Sequence, residues 1–132
     1  MAKRVNSFWP KGSNLFGFST RILVMGMTFK ENVADIRNSK VVDIINELKD
    51  FGVEVDVVDP YADPEEVKKM YGFRLIEKPL GNYDAVVVAV SHDAYQRLDE
   101  KYFKSLTCDK AVLVDVKGMY RDKIHELKYW SL

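Results

Sequence analysis

The sequence predicts an α/β fold of the doubly wound type, in which helices cover both faces of a parallel sheet. Apolar segments alternate with amphipathic ones after residue 20, which is the pattern of strands joined by crossover helices. The most apolar segment, Asp84–Val90, is typical of a central strand covered on both faces. The chain has 132 residues, of which 47% are hydrophobic, and this fits a single domain with a substantial core.

The first half of the chain is expected to contain two strand–helix units. The predicted elements are a strand over Arg21–Met25, a helix over Lys40–Phe51, a strand over Val53–Val58 and a short helix between Asp63 and Gly72. The first helix is predicted from an apolar stripe formed by Val41, Ile44, Ile45 and Leu48. Gly52 is a typical residue just beyond a helix end. In the second helix, Asp63 is a favourable N-cap and Pro64 a favourable first residue.

The second half of the chain continues the alternation. The predicted elements are a brief strand over Phe73–Ile76, the central strand, a helical region over about Leu98–Leu106, a last strand over Ala111–Val116 and a short tail, Ile124–Leu132, with room for one helical turn. Right-handed crossovers place the carboxyl ends of parallel strands at one edge of the sheet. The residues expected along this rim are Phe29 and Lys30, Asp59, Ser91 and His92, and Lys117 and Gly118.

Residues 1–20 differ from the rest of the chain. Their aromatic residues are scattered among polar ones without any period. We expect this segment to be a linker from a preceding domain or a remnant of protein expression, and the α/β domain to cover residues 21–132.

The composition argues against several classes of partner. The chain carries 20 basic and 20 acidic residues, so no large basic surface for nucleic acid is expected. The longest apolar run, Ala85–Val90, is too short to span a bilayer, and no apolar signal core follows the basic N-terminus. We therefore expect a cytoplasmic protein with no nucleic-acid or membrane partner. The single cysteine, Cys108, cannot form an internal disulfide.

The segment from Gly26 to Ser39 is the strongest functional signal. It joins the first strand to the first helix and is longer than most such loops, and loops at this edge of an open α/β sheet bind ligands. It carries Lys30 and Arg37 and leads into a helix N-terminus, which attracts anions. These features indicate a phosphorylated ligand. The alternative is that both cations are solvated loop residues, with Arg37 paired to Asp35.

Other rim residues allow both a functional and a structural interpretation. Lys117 precedes Gly118, which would let a ligand approach the backbone closely, but it is equally well explained as a turn lysine. His92 is interpreted as a loop or capping histidine in preference to a catalytic base. Asp59 is interpreted as a turn residue, because Gly26 lacks the G-x-G-x-x-G fingerprint that accompanies a ribose-binding carboxylate.

Neither a nucleophile nor a metal site is expected. Cys108 lies between Thr107 and Asp109, without a base or second thiol nearby, and an acidic neighbour does not lower the pKa of a thiol. We interpret it as a structural residue. No cluster of histidine, cysteine and carboxylate residues has metal-ligand spacing. The sequence therefore predicts no catalytic residue and no metal ligand.

An ordered series of short motifs resembles one enzyme family. The motifs are GMTFKEN at 26–32, DIRNS at 35–39, VVDP at 57–60, AVSH at 89–92 and VDVKG at 114–118. This series, which covers the chain from about Arg21 to the end, is similar to the C-terminal domain of the UDP-glucose/GDP-mannose dehydrogenase family. The similarity is greatest to the branch that oxidises UDP-N-acetylhexosamines.

The resemblance implies a Rossmann-like domain that holds the nucleotide of a UDP-sugar. Full-length members join it to an NAD-binding Rossmann domain and a central helical dimerisation region. They oxidise the sugar C6 alcohol to a carboxylate in two NAD-dependent steps, for polysaccharide precursor synthesis. By this resemblance Phe29 and Lys30 contact the substrate and Lys117 contacts the UDP. Arg37 reaches back to NAD across the domain cleft.

The chain departs from the family in two respects. The glycine fingerprint for NAD and the nucleophilic cysteine of the family are absent, and Cys108 does not match that cysteine. We therefore expect an excised C-terminal domain that binds UDP-sugar and is inactive alone. NAD would be bound mainly by the missing N-terminal domain, and a homodimer would form only in the full-length enzyme.

Two other classes of protein share this predicted fold. A signalling receiver domain needs an acidic pair after its first strand to hold Mg²⁺. This chain has Met25-Gly26-Met27 at that position, which argues strongly against a receiver domain. A non-catalytic regulatory module that senses a nucleotide remains an alternative.

Overall fold

The computed structural model describes residues 20–132, and most of the predicted N-terminal segment lies outside that range. The described residues form five strands and three α-helices, with a short 3-10 turn over Asp93–Tyr95. In chain order they are β1 (Arg21–Met25), α1 (Lys40–Asp50), β2 (Glu54–Val58), α2 (Pro64–Tyr71), β3 (Tyr83–Val88), α3 (Glu100–Leu106), β4 (Thr107–Asp115) and β5 (Lys128–Ser131).

All five strands run parallel in one sheet, with the order β2-β1-β3-β4-β5. Their carboxyl ends are in register: Met25 pairs with both Val58 and Val88, and Asp115 pairs with both Val88 and Ser131. The loops that follow these strands therefore share one edge. The predicted doubly wound fold is confirmed.

Separate apolar cores cover the two faces of the sheet. Ile22 and Val24 of β1 pack on one face with residues of α1 and α2 such as Ile45. Leu23 and Met25 of the same strand pack on the other face with residues that include Phe103 of α3. Successive strand residues point to opposite faces, so β1 contributes to both cores. This explains why the central strands have almost no polar residues.

The helix boundaries follow the predicted signals closely. The Asp63 carboxylate accepts the backbone N–H of Glu65 at 2.9 Å and begins α2, which ends at Gly72 in the left-handed conformation. In α1 the buried stripe is Val41, Val42 and Ile45. Ile44, which we predicted to be in this stripe, is 41% exposed, because the buried face of the helix is rotated toward Val42 and away from Ile44. None of the helices found within residues 20–132 combines the length and the hydropathy that a bilayer span requires.

The predicted strand over Phe73–Ile76 is not formed. The side chains of this segment do point to both faces of the sheet, since Phe73 packs on one side and Ile76 on the other. However, the Ile76 N–H bond to the Val57 carbonyl, at 3.0 Å, is the only backbone bond to β2 found for this segment. One bond does not make a ladder, so the segment is an extended connector.

The C-terminal prediction was also wrong. The predicted tail contains β5, which pairs with β4 from Val112–Lys128 to Asp115–Ser131. The Glu100 carboxylate accepts the backbone N–H groups of residues 125–127 and fixes the chain just before β5. β4 is thus not the last strand. It also begins at Thr107, four residues before the predicted start, because it follows α3 directly.

Candidate functional site

The loop after β1 is closed at its base by backbone and side-chain hydrogen bonds. The Gly26 N–H donates to the Val58 carbonyl at 2.9 Å. The Ser39 hydroxyl donates to the Met27 carbonyl at 2.6 Å, so the two ends of the loop are held together. Ser39 occupies the N-cap position of α1 but makes no capping bond. The first N–H groups of α1 therefore have no partner from this side chain, and they carry the positive end of the helix dipole.

A pocket of about 240 Å³ brings together three of the four predicted site residues. The residues lining it come from the loop after β1, from α1 and from the segments after β3 and β4: Thr28, Phe29, Lys30, Glu31, Asn38, Lys40, Val41, Ile44, Ala89, Val90, Val116 and Lys117. Lys30 and Lys117 are thus within one cavity, although 87 residues separate them in the sequence. Phe29 is 56% exposed. The pocket combines cations with apolar surface, which suits an anion attached to a flat apolar group.

Arg37 lies in a different concavity, of about 630 Å³, between the end of the loop and α2. It pairs with Asp35 through two hydrogen bonds of 3.0 Å. Hydrogen bonding to Arg37 lowers the pKa of Asp35 to about 2 and raises that of the arginine. The ion pair between Arg37 and Asp35, which the sequence analysis gave as an alternative, is therefore present. The Arg37 side chain is nevertheless 74% exposed, so it can be contacted from outside.

Asp59 lies at the end of β2 and accepts hydrogen bonds on both carboxylate oxygens. Its Oδ2 accepts the N–H groups of Met27 at 2.7 Å and Thr28 at 3.2 Å. Its Oδ1 accepts the N–H of Tyr61 at 2.8 Å, which makes the predicted turn. His92 Nε2 lies 3.0 Å from Oδ2, and both side chains are fully buried. Burial alone would raise the pKa of Asp59, but the hydrogen bonds from His92, Met27 and Tyr61 outweigh burial and hold it below its ordinary value.

The sequence identified His92 only as a loop or capping residue, but it contacts the binding loop directly. Its Nδ1 accepts the backbone N–H of Asn32 at 2.9 Å. The Asn32 side chain in turn accepts the N–H of Asp93 at 2.8 Å. The loop after β1 and the loop after β3 are thus joined by reciprocal bonds. No local sequence signal marks this, because the contact spans 60 residues.

The turn that carries Lys117 is held by a buried carboxylate that the sequence did not single out. Asp115 accepts the N–H groups of Met119 at 3.0 Å and Tyr120 at 2.7 Å. That Gly118 gives a ligand access to the backbone stays a prediction. Gly118 has φ +72°, and a Cβ there would lie 2.6 Å from the Arg121 side chain. The left-handed conformation of the turn is by itself a reason for a glycine at this position.

Cys108 lies at the opposite edge of the sheet from the pocket, at the start of β4. Its thiol donates to Asp84 Oδ1 at 3.3 Å. Burial, together with this bond to Asp84, raises the pKa of the thiol. A thiol with a raised pKa is a poor nucleophile, in agreement with a structural role. In residues 20–132 no group of three or more histidine, cysteine and carboxylate residues is placed to hold a metal ion.

The fold and the pocket define an α/β domain that can take an anionic ligand at the carboxyl edge of a parallel sheet. Residues 23–122 match the model of the UDP-glucose/GDP-mannose dehydrogenase family, UDP binding domain. The chain belongs to this family, as the motifs predicted.

Similar proteins agree with this assignment. The chain is 40% identical over 114 residues to the UDP-N-acetyl-D-glucosamine 6-dehydrogenase of Salmonella typhi, covering 86% of this chain and 26% of that protein. It is 44% identical over 97 residues to protein CapL of Staphylococcus aureus, covering 73% and 23%. The chain thus spans about a quarter of the length of these relatives.

Solved structures support the fold. The NDP-N-acetyl-D-galactosaminuronic acid dehydrogenase of Methanosarcina mazei superposes with a TM-score of 0.75 at 22% identity, covering 85% of this chain and 24% of that chain. The UDP-N-acetyl-mannosamine dehydrogenase Cap5O of Staphylococcus aureus gives a TM-score of 0.69 at 22% identity, covering 98% and 30%.

Proposed function

We propose that this chain is the UDP-sugar-binding domain of an NAD-dependent nucleotide-sugar 6-dehydrogenase. The observation that carries the proposal is the pocket in which Phe29, Lys30 and Lys117 lie together, within a domain of this family. The relatives named UDP-N-acetyl-D-glucosamine 6-dehydrogenase favour an N-acetylated UDP-sugar. The whole enzyme would oxidise the C6 alcohol to a carboxylate and supply precursors for polysaccharides in the cytoplasm, where nucleotide sugars and NAD are available.

In this proposal the domain acts through binding energy. Lys30 and Lys117 hold the diphosphate, which is the most anionic part of the ligand, and Phe29 packs against its apolar surface. The N-terminal end of α1 adds a further positive potential beside the pocket. Energy gained at the unreactive UDP end positions the sugar C6 for chemistry in another domain.

In this proposal, residues 20–132 do not hold NAD by themselves. Gly26 has no accompanying glycine fingerprint. Asp59 occupies the position of a ribose-binding carboxylate, but it is buried and already accepts hydrogen bonds from Met27, Thr28 and Tyr61. NAD would therefore be held by a separate domain that precedes residues 21–132. The exposed guanidinium of Arg37 would contact the bound NAD. The homodimer would form through parts of the enzyme outside residues 21–132.

A titration of the 132-residue chain with UDP tests the proposal. We expect weak binding, because other domains would supply the rest of the cleft, and NMR shifts at Gly26–Ser39 and Lys117. Uridine and inorganic pyrophosphate should each bind more weakly than UDP, since each offers only half of the contacts. If millimolar UDP moves no resonance in these segments, the proposed site is wrong.

A further inference from the structure

Two anchor points enclose the segment that carries Phe29 and Lys30. On the amino side, Asp59 holds the N–H groups of Met27 and Thr28. On the carboxyl side, His92 Nδ1 holds the N–H of Asn32 at 2.9 Å. The three residues between these anchors include both of the exposed side chains proposed to contact the ligand.

The hydrogen bonds assign the tautomer of His92. A backbone N–H can only donate, so Nδ1 must be the unprotonated nitrogen that accepts from Asn32. Nε2 then carries the proton and donates to Asp59 Oδ2 at 3.0 Å. The Thr28 hydroxyl, 3.4 Å from Nε2, donates to the Lys30 carbonyl at 2.9 Å, which is consistent with this arrangement.

The ring of His92 is also fixed by its surroundings. It is fully buried, with the rings of Tyr61 at 4.6 Å and Tyr95 at 5.3 Å between centroids. Asn32 has φ +61°, a conformation that most L-residues adopt with strain. The left-handed conformation of Asn32 and its hydrogen bond to a buried ring nitrogen together set the direction in which the chain leaves this segment.

We propose that His92, oriented by Asp59, is a positioning residue that sets the conformation of Thr28–Asn32 and thereby the placement of Phe29 and Lys30 in the pocket. This inference rests on the proposed function for its effect on ligand affinity. Its structural part, the tautomer and the anchored loop, stands independently of any ligand.

Two substitutions separate the bonds that His92 makes. In His92→Gln, the side-chain amide replaces Nε2 and keeps the donor to Asp59, but the Asn32 N–H loses its acceptor. In His92→Asn, the side-chain oxygen replaces Nδ1 and keeps that acceptor, but the donor to Asp59 is lost. We expect His92→Gln to weaken UDP binding about three- to tenfold and to speed hydrogen exchange at the Asn32 amide, which loses its acceptor. His92→Asn should lower the melting temperature while UDP affinity stays within about twofold.

The matched control is the exposed histidine, changed in the same way in His125→Gln, which should alter neither affinity nor loop exchange. If affinity instead follows melting temperature in both His92 variants, the residue is merely structural and the inference is overturned. Nitrogen NMR of the wild-type chain gives a test that needs no substitution. A proton on Nδ1 of His92 at neutral pH would also overturn the inference.

These measurements separate failure of the inference from failure of the proposed function. Wild-type protein that does not bind UDP would refute the binding proposal alone, provided that His92→Gln still speeds hydrogen exchange at the Asn32 amide. UDP binding that is the same in the wild type and in folded His92→Gln would refute the positioning role alone.

Discussion

Gly26 packs directly against Val90, so that a Cβ on the glycine would lie 2.7 Å from the valine Cβ. Gly26 has φ +93° and begins the loop after β1, whereas Val90 belongs to the segment after β3. β1 and β3 are neighbours, but the chain leaves β1 for β2 on its other side. The contact therefore lies where the strand order reverses, which is where open α/β sheets bind ligands.

Gly26→Ala should destabilise the fold strongly. The new methyl group overlaps Val90, and the backbone adopts a conformation that alanine disfavours, so we expect a loss of about 2–4 kcal/mol in the free energy of unfolding. Gly72→Ala is the matched control, because Gly72 has φ +82° but no atom within 4 Å of a Cβ. It should cost only about 1–2 kcal/mol. Equal losses of unfolding free energy in the two variants, measured by urea denaturation, would show that the contact with Val90 is unimportant.

Lys30→Ala and Lys117→Ala should each weaken UDP binding. A lost charge-assisted hydrogen bond costs roughly 1.5–3 kcal/mol, which is about ten- to a hundredfold in the dissociation constant. Lys110→Ala is the control, since this exposed lysine lies on β4 toward the edge away from the pocket. It should leave affinity unchanged in calorimetric titration. A similar loss in all three variants would indicate an effect of net charge and would contradict a site formed by Lys30 and Lys117.

The parts of this fold that were predicted correctly are those encoded by local patterns. β1 and the caps of α2 follow from a short apolar run and from Asp63, Pro64 and Gly72. β5 was missed because it has only four residues and its two apolar ones, Tyr129 and Trp130, are adjacent, so the sequence shows no alternation of polar and apolar residues. Its place depends on pairing with β4 and on Glu100, neither of which is visible in the local sequence.

The site likewise has some residues with a local sequence signal and others without one. Lys30 and Lys117 were singled out as cations that follow strands, and Phe29 through the family resemblance; the parallel sheet does bring all three to one pocket. Their roles in binding stay predictions. The Asp59–His92–Asn32 arrangement depends on three loops meeting in space. Only the aligned strand ends create that meeting, so no spacing rule could have identified it.

Asp59→Asn should destabilise the protein in a pH-dependent manner. The folded-state pKa of Asp59 is lowered, so the folded protein binds fewer protons than the unfolded chain as the pH falls. The stabilisation is therefore complete above the unfolded pKa of about 3.9 and is lost as the pH drops through the folded value. The substitution should cost about 1–3 kcal/mol at neutral pH.

Melting temperatures of wild type and Asp59→Asn, compared from pH 7 to pH 3, measure this effect. The difference between the two proteins should narrow toward acid pH. Other carboxylates with lowered pKa values, such as Asp35 and Glu100, act in both proteins and cancel in the difference. A difference that is constant with pH would mean that the ionised form of Asp59 is not what the fold stabilises.

Arg37→Ala should affect the binding of NAD and leave the binding of the UDP-sugar unchanged. Arg37 lies outside the pocket that contains Lys30 and is paired at the surface with Asp35. In the isolated chain the substitution should leave UDP affinity and the melting temperature nearly unchanged, since exposed ion pairs contribute little to stability. In a dehydrogenase that carries this domain, it should raise the KM for NAD and leave the KM for the UDP-sugar unaltered. Lys30→Ala should show the reverse pattern.

If both variants changed the KM for NAD and the KM for the UDP-sugar equally, the loop would be acting as a single folding element, and the division of roles between Lys30 and Arg37 would be wrong.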